Sequence, residues 1–392
     1  MPMVKSGLEV FLERPRSWVK NQRVGLLCNP ASVDSQLVHA RQRIAQALPG
    51  QLTALYSPQH GFFAEKQDNM IESADRRDPI TGLPVFSLYG ETRIPTPAML
   101  APIDTLLVDL QDVGTRVYTF VYTLSYCMEA ARQLGKRIII LDRPNPIGGR
   151  IEGNLLDPAC RSFVGRYPIP MRHGLTIGEL AILFNTQFKI GCTLEVVTMQ
   201  GWRRNMNFLQ TGLPWVAPSP NLPTPASAMV YPGQVIWEAT NVSEGRGTTQ
   251  PFELFGAPFM EPEAILEQID PASLAGVILR PAAFEPTANK WAGHLCKGFQ
   301  IHVTDPERYR PYALSLALYQ ILYQRFGDPF AYKAPPYEYE FERLPMDLII
   351  GDPHIRRAIE QGRPLDDLIE SWQPALATYR HQAEAVHLYL SA

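Results

Sequence analysis

A chain of 392 residues, 45% apolar and 19% charged, is long enough for two folded units at roughly 100–200 residues each. Its net charge of −3 at pH 7 and its pI near 6.3 give no electrostatic basis for binding nucleic acid or an anionic membrane surface. The first residues lack the apolar run of a signal peptide, the longest apolar runs are of strand length, and five cysteines lie scattered; the expectation is a cytoplasmic protein with reduced thiols and no membrane span.

Four apolar runs read as buried parallel strands: 23–28 (RVGLLC), 52–56 (LTALY), 105–110 (TLLVDL) and 137–141 (RIIIL). Apolar residues at helical spacing predict helices over 34–48 and 118–134, closed by Gly50 and Gly135. A helix over 176–185 and a strand over 193–199 extend the alternation. The fold class is therefore α/β, with a Rossmann-like, open, mainly parallel sheet. Neither GxGxxG nor GxxxxGK[ST] follows any strand, so no nucleotide or other cofactor is expected. Residues 212–233 carry six prolines and no regular period, which marks them as a connection. The expected division is a Rossmann-like domain over 1–229 and a smaller α+β domain over 230–392. The second contains strands over 276–280 and 299–303 and helices over 307–326, 354–361 and 374–388.

Open α/β sheets bind ligands beyond the carboxyl ends of their strands. Asn29-Pro30 follows the first strand here, and Gln59, His60 and Glu65 follow the second. Asp112 and Arg116 follow the third, Asp142 and Arg143 the fourth. One polar loop is ordinary; four at the same edge indicate a site. Further on, Arg172-His173-Gly174 precedes a helix containing Glu179, and residues 241–249 (NVSEGRGTT) set Glu244, Arg246 and Thr248 among glycines. Glycine lets backbone approach a ligand closely, while hydroxyls and a guanidinium can hold sugar hydroxyls or a carboxylate.

Seven runs in order, SPQHGFFAE (57–65), SLYG (87–90), DLQDVGTRVYTF (109–120), LDRPNPIGG (141–149), MRHGLTIGELA (171–181), PSPNLPT (218–224) and TNVSEGRGTTQPFELFGAP (240–258), resemble the exo-β-N-acetylmuramidases. CKGFQIHVTD (296–305) resembles the C-terminal domain of that family. The resemblance implies a glycoside hydrolase releasing N-acetylmuramic acid (MurNAc) from the non-reducing end of peptidoglycan fragments, with its site between a Rossmann-like and an auxiliary domain. This chain departs from the family at Pro58-Gln59-His60-Gly61, where the pattern has Pro-Glu-His-Gly. Lys66-Gln67-Asp68-Asn69-Met70 also replaces a glycine-containing stretch.

Glycoside cleavage uses a carboxylic acid with a raised pKa and a second group acting as base or nucleophile. Glu65, beside Phe62 and Phe63, is the expected acid; the alternative is a solvated loop carboxylate. Glu244 is the expected partner, against a structural ion pair with Arg246. Asp112 either takes part directly or orients Arg116 or His60. His60 and His173, each before a glycine in a loop, are expected to contact substrate, as are Asn29, Gln59, Tyr118, Asn221 and Thr248. Arg116, Arg143, Arg172 and Arg246 are candidates for the lactyl carboxylate of MurNAc, because a planar bidentate donor suits it. Each could equally pair with a neighbouring acid. Two other readings remain open: a metal-dependent hydrolase or deacetylase using His60, Asp112, Asp142 and His173, and a non-catalytic muropeptide-binding protein. No compact metal-ligand spacing appears, so no metal is expected.

Overall fold

A computed structural model describes residues 3–67 and 70–390; Asp68 and Asn69, within the stretch that departs from the family, lie outside the described residues. The strands, in chain order, are β1 (Val24–Cys28), β2 (Leu52–Ser57), β3 (Arg76–Arg77), β4 (Pro84–Ser87), β5 (Thr105–Asp109) and β6 (Arg137–Leu141). They continue as β7 (Glu152–Leu155), β8 (Pro170–Arg172), β9 (Thr193–Val197), β10 (Leu254–Ala257), β11 (Val277–Phe284) and β12 (Cys296–Val303).

The large sheet has the order β3-β4-β2-β1-β5-β6-β9, parallel throughout except for β3 against β4. Every residue of β1 and β5 is buried, so neither shows polar alternation, as a parallel sheet covered on both faces requires. Alternate side chains feed two cores. Leu26, Leu107 and Ile139 pack with Leu8, Phe11 and Ile44 on one face. Leu27, Val108 and Ile140 pack with Val121, Leu124 and Leu180 on the other. This second core continues without a break into Trp237, Phe255, Phe299, Leu316 and Ile349 of the C-terminal half. There, β10-β12-β11 form a smaller antiparallel sheet, and β7 pairs with β8 in a two-stranded one.

Three local differences from the sequence expectation have physical causes. The helix expected over 34–48 begins only at Ala40. Asp34 Oδ1 accepts from the backbone N–H groups of Gln36 and Val38, both at 2.9 Å, which holds a turn in place of a first helical turn. The connection over 212–233 contains the helix Pro225–Gln234, which extends one residue beyond it. Thr224 and Ser227 form a capping box, Pro225 occupies a first-turn position where its missing N–H costs nothing, and Pro232 falls near the end. The expected division at 229/230 thus lies inside a buried helix. Finally, β3 is a two-residue edge strand and β4 beside it has four residues, too few in either case to show a period in the sequence. Among the described residues no helix is long and apolar enough to cross a membrane.

Candidate active site

The loops after β2 and β5 bring Gln59, His60, Tyr118 and Thr119 to the carboxyl edge of the large sheet. Facing them are Glu238 on the 3-10 turn Val235–Ala239, Arg246, and Tyr337-Glu338 from the segment before the helix Pro345–Ile350. Asn221, on the proline-rich loop, completes the wall. Together they bound a cavity of about 440 Å³ including its mouth. Asn221 and Arg246 also border an adjoining open cleft of about 1550 Å³.

Two carboxylates meet this cavity, and their partners differ. Glu238 is 6% exposed; its Oε1 accepts from Arg246 Nη2 at 2.6 Å and its Oε2 from the Tyr337 hydroxyl at 2.7 Å. Glu338 is 4% exposed, and among the described residues its donors are neutral: Gln59 Nε2 at 2.9 Å and the Tyr89 hydroxyl at 2.7 Å. Burial pushes the Glu338 pKa above the usual carboxylate range; its two hydrogen bonds oppose this, and the Glu238 charge adds to it. Thr119 Oγ1 donates to Gln59 Oε1 at 2.6 Å, which turns the amide nitrogen toward Glu338.

His60 is neutral near pH 7. Burial pulls its pKa down to about 4, against the hydrogen bond between Nδ1 and the Lys66 carbonyl at 2.9 Å. The tautomer this selects leaves an acceptor lone pair on Nε2. His60 (φ +74°) and Glu338 (φ +47°) both hold left-handed backbone, a conformation that costs a non-glycine residue about 1–3 kcal/mol and clusters at functional sites.

The chain matches two family profiles end to end: exo-β-N-acetylmuramidase NamZ, N-terminal, over residues 24–226, and exo-β-N-acetylmuramidase NamZ, C-terminal, over 229–389. It is 42% identical to the peptidoglycan β-N-acetylmuramidase NamZ of Bacillus subtilis (strain 168) over 389 residues, covering 99% of this chain and 92% of that protein. The chain belongs to the exo-β-N-acetylmuramidase family. Its fold is shared with a DUF1343 family protein of Bacteroides fragilis, at TM-score 0.88 and 35% identity over 99% of this chain and 100% of that one. A second DUF1343 protein of that organism aligns at TM-score 0.77 and 27% identity over 99% of both chains.

Within this muramidase fold, the cavity gathers Gln59, His60, Tyr118, Asn221 and Arg246 from the residues expected at the site. Thr248 borders the open cleft and donates to the Gly245 carbonyl at 2.6 Å. The other expected residues have partners elsewhere. Glu65, expected as the buried acid, does not line the cavity. Its side chain is 39% exposed and pairs with Arg76 at 3.1 Å. Glu244 lies behind the wall, between Arg246 at 3.0 Å and Lys290 at 2.7 Å. Burial raises its pKa, but the Lys290 and Arg246 charges outweigh that and hold it below the ordinary value.

Asp112 accepts from Gly114 N at 2.7 Å and pairs with His173 Nε2 at 3.1 Å, and His173 is sealed from solvent. All four arginines considered for the lactyl group have partners within the protein, and Arg246, paired with Glu238 and Glu244, is the one of them that also borders the cavity. Arg116, fully buried, donates to the carbonyls of Asn154, Ile169, Ile349 and Ile350. Arg143 makes two bonds to Asp109, at 2.5 and 3.0 Å, and Arg172 donates to the Ile147 carbonyl. Asn29 Nδ2 supports the proline-rich loop through the Pro218 carbonyl at 3.4 Å. Asp142, the fourth residue of the metal reading, accepts from Thr176 at 2.7 Å, Gly178 N at 2.8 Å and Tyr389 at 2.5 Å. Among the described residues no three His, Cys, Asp or Glu side chains converge as a metal site.

Glu238, Glu338, Thr119 and Tyr337 were absent from the sequence expectation. Glu238 sits two positions before the TNVSEGRG run. Glu338 is flanked by two tyrosines, and that Tyr-Glu-Tyr triplet in a proline-rich loop was the available signal.

Proposed function

We propose that the cavity holds the terminal MurNAc of a peptidoglycan fragment and that Glu338 and Glu238 cleave its β-glycosidic bond. Family membership makes the chain a glycoside hydrolase releasing MurNAc from the non-reducing end. The observation that carries the assignment within it is the pair of buried carboxylates on one small cavity with unequal partners. Glu338, with neutral donors and a raised pKa, is the general acid that protonates the leaving oxygen. Glu238, charge-paired to Arg246, is the anionic partner that supports the developing positive charge or activates water. His60 Nε2 and Asn221 Nδ2 are hydrogen-bonding groups for the sugar, and Arg246 is the cavity's cation for the lactyl carboxylate.

The same proposal places the protein in the cytoplasm, supported by five unpaired, buried cysteines. It also divides the chain at 229/230, supported by the junction of the two family profiles a few residues earlier, between 226 and 229. The test is release of p-nitrophenol from p-nitrophenyl β-MurNAc, with the GlcNAc glycoside as control. Release from the MurNAc compound alone is expected; a folded protein that cleaves neither would overturn the reading.

A further inference from the structure

We infer that Arg93 is a positioning residue for the reaction: its guanidinium, held among the rings of Tyr89, Phe163 and Tyr339, fixes the turn that presents Glu338 to the cavity. This rests on the proposed function, because it matters only if Glu338 is the acid. Arg93 lies in the loop after β4, four residues beyond Tyr89, and does not itself line the cavity. The carbon of its guanidinium is 3.8 Å from the centre of the Tyr339 ring, 5.1 Å from that of Phe163 and 5.2 Å from that of Tyr89. The rings brace one another, Tyr89 meeting Phe163 at 5.7 Å and Tyr339 edge-on at 5.9 Å. Among the described residues the buried Nε of Arg93 has no hydrogen-bond partner and no carboxylate lies in salt-bridge contact. The aromatic faces are therefore what the cation holds.

Two of the three rings belong to the machinery of the acid. Tyr89 donates its hydroxyl to Glu338 Oε2 at 2.7 Å, and Tyr339 is the next residue in the chain. Glu338 and Tyr339 are consecutive non-glycine residues with left-handed backbone, at φ +47° and +65°. Such a turn persists only where its surroundings over-determine it. The Tyr339 hydroxyl does little of this, since its contacts with Met70 O and Glu72 Oε1 are both 3.4 Å. The ring face on Arg93 is the close contact. One guanidinium thus anchors Glu338 twice, through the backbone by way of Tyr339 and through Oε2 by way of Tyr89.

Charge gives this role a signature that packing alone lacks. Two charged groups act on Glu338: Glu238, itself paired with Arg246, favours the protonated form, and Arg93 favours the carboxylate. Tyr89, Tyr231, Tyr337 and Tyr339 also face it, but burial raises the pKa of each, so all four stay uncharged near neutral pH. Removing the Arg93 charge therefore lets Glu338 keep its proton to higher pH.

The experiment follows the pH dependence of kcat and kcat/KM on p-nitrophenyl β-MurNAc for the full-length protein, Arg93→Met, Arg93→Lys and Glu338→Gln. Arg93→Met loses both the plane and the charge. It is expected to lower kcat about tenfold or more with little change in KM, and to move the alkaline limb up by about half a pH unit. Arg93→Lys keeps the charge without the plane, so kcat should fall while the limb stays in place. Thermal melts identify a variant that has unfolded, and the other then decides. Wild-type kcat in a folded Arg93 variant, or an unmoved limb in Arg93→Met, overturns the role of Arg93 and leaves the proposed function intact if Glu338→Gln is inactive. Near-normal turnover in Glu338→Gln overturns the role of Glu338 and this inference with it.

Discussion

Gln59 Nε2 stands 2.9 Å from Glu338 Oε1 although 279 positions separate them in the chain. The contact joins the loop after β2 to a segment more than halfway through the C-terminal portion, so neither half builds the site alone. It also bears on the departure from the family's Pro-Glu-His-Gly pattern. Position 59 supplies an amide here, and the carboxylate on that side of the cavity comes from Glu338. Thr119 fixes the amide's direction, so Gln59 presents a donor, which an unprotonated Glu could not.

Glu338→Gln is expected to lower kcat on the aryl MurNAc glycoside by about a hundredfold or more, the usual contribution of a positioned acid. The amide keeps the shape and can still accept from Tyr89, so the thermal midpoint should change little. Glu65→Gln serves as the comparison, because Glu65 is half-exposed and bound to Arg76. Near-normal turnover in Glu338→Gln together with collapse in Glu65→Gln would return the acid role to Glu65.

The alkaline side of the pH profile gives a second handle. A general acid works only while protonated, so kcat/KM falls as pH rises through the Glu338 pKa. Because burial raises that pKa, activity should persist to higher pH than an ordinary glutamic acid would allow. Gln59→Glu sets a second carboxyl group against Glu338. Like charges resist joint ionisation, so the pair holds a shared proton longer and the alkaline limb moves upward. A limb that stays in place or moves down would show that Glu338 does not control it.

The sheet was legible because β1, β2, β5 and β6 are buried on nearly every residue, and such runs have few other uses. The site was legible where a side chain closely follows a strand, as with Gln59 and His60, or falls in a run that resembles the family, as with Tyr118, Asn221 and Arg246. Arg116 and Arg172 show the limit of residue type as a guide. A buried guanidinium can satisfy itself on backbone carbonyls, and nothing local to Arg116 announces that the helix Pro345–Ile350 supplies two of them. Glu338 was missed for the same reason reversed: its function depends on Gln59 and Tyr89, which no local pattern around it contains.

Glu244→Gln separates structure from chemistry. The carboxylate neutralises Lys290 and one side of Arg246 inside the protein. Removing its charge leaves a buried ammonium held by the Trp237 and Val242 carbonyls, at 2.6 and 3.1 Å, with no counter-charge in contact among the described residues. The expected loss is about 3 kcal/mol at neutral pH. The Glu244 pKa is lowered in the folded protein, so its contribution is present above the unfolded-state value and disappears as pH falls through the folded one. The stability difference between wild type and variant, measured by denaturant titration, should therefore narrow in acid. A variant as stable as wild type but inactive would make Glu244 catalytic.

Gly233 tests whether the two halves must stay in close contact for the cavity to work. It lies near the end of the helix Pro225–Gln234, against the helix Pro311–Phe326, and a Cβ there would meet the Pro311 carbonyl at 2.0 Å and Ser315 Oγ at 2.4 Å. A backbone carbonyl cannot rotate aside as a flexible side chain can, so Gly233→Ala must push the helices apart, at about 1–3 kcal/mol. The same helix carries Tyr231 on the cavity wall, and the turn bearing Glu238 follows directly. Displacement should therefore reach the chemistry, lowering kcat beyond what the loss of folded protein explains. Gly135→Ala is the control. Gly135 has positive φ but open space around its Cβ position, so that change strains the backbone without moving the seam. If both variants lose stability equally and both keep wild-type kcat in their folded fraction, the seam does not set the position of Glu238.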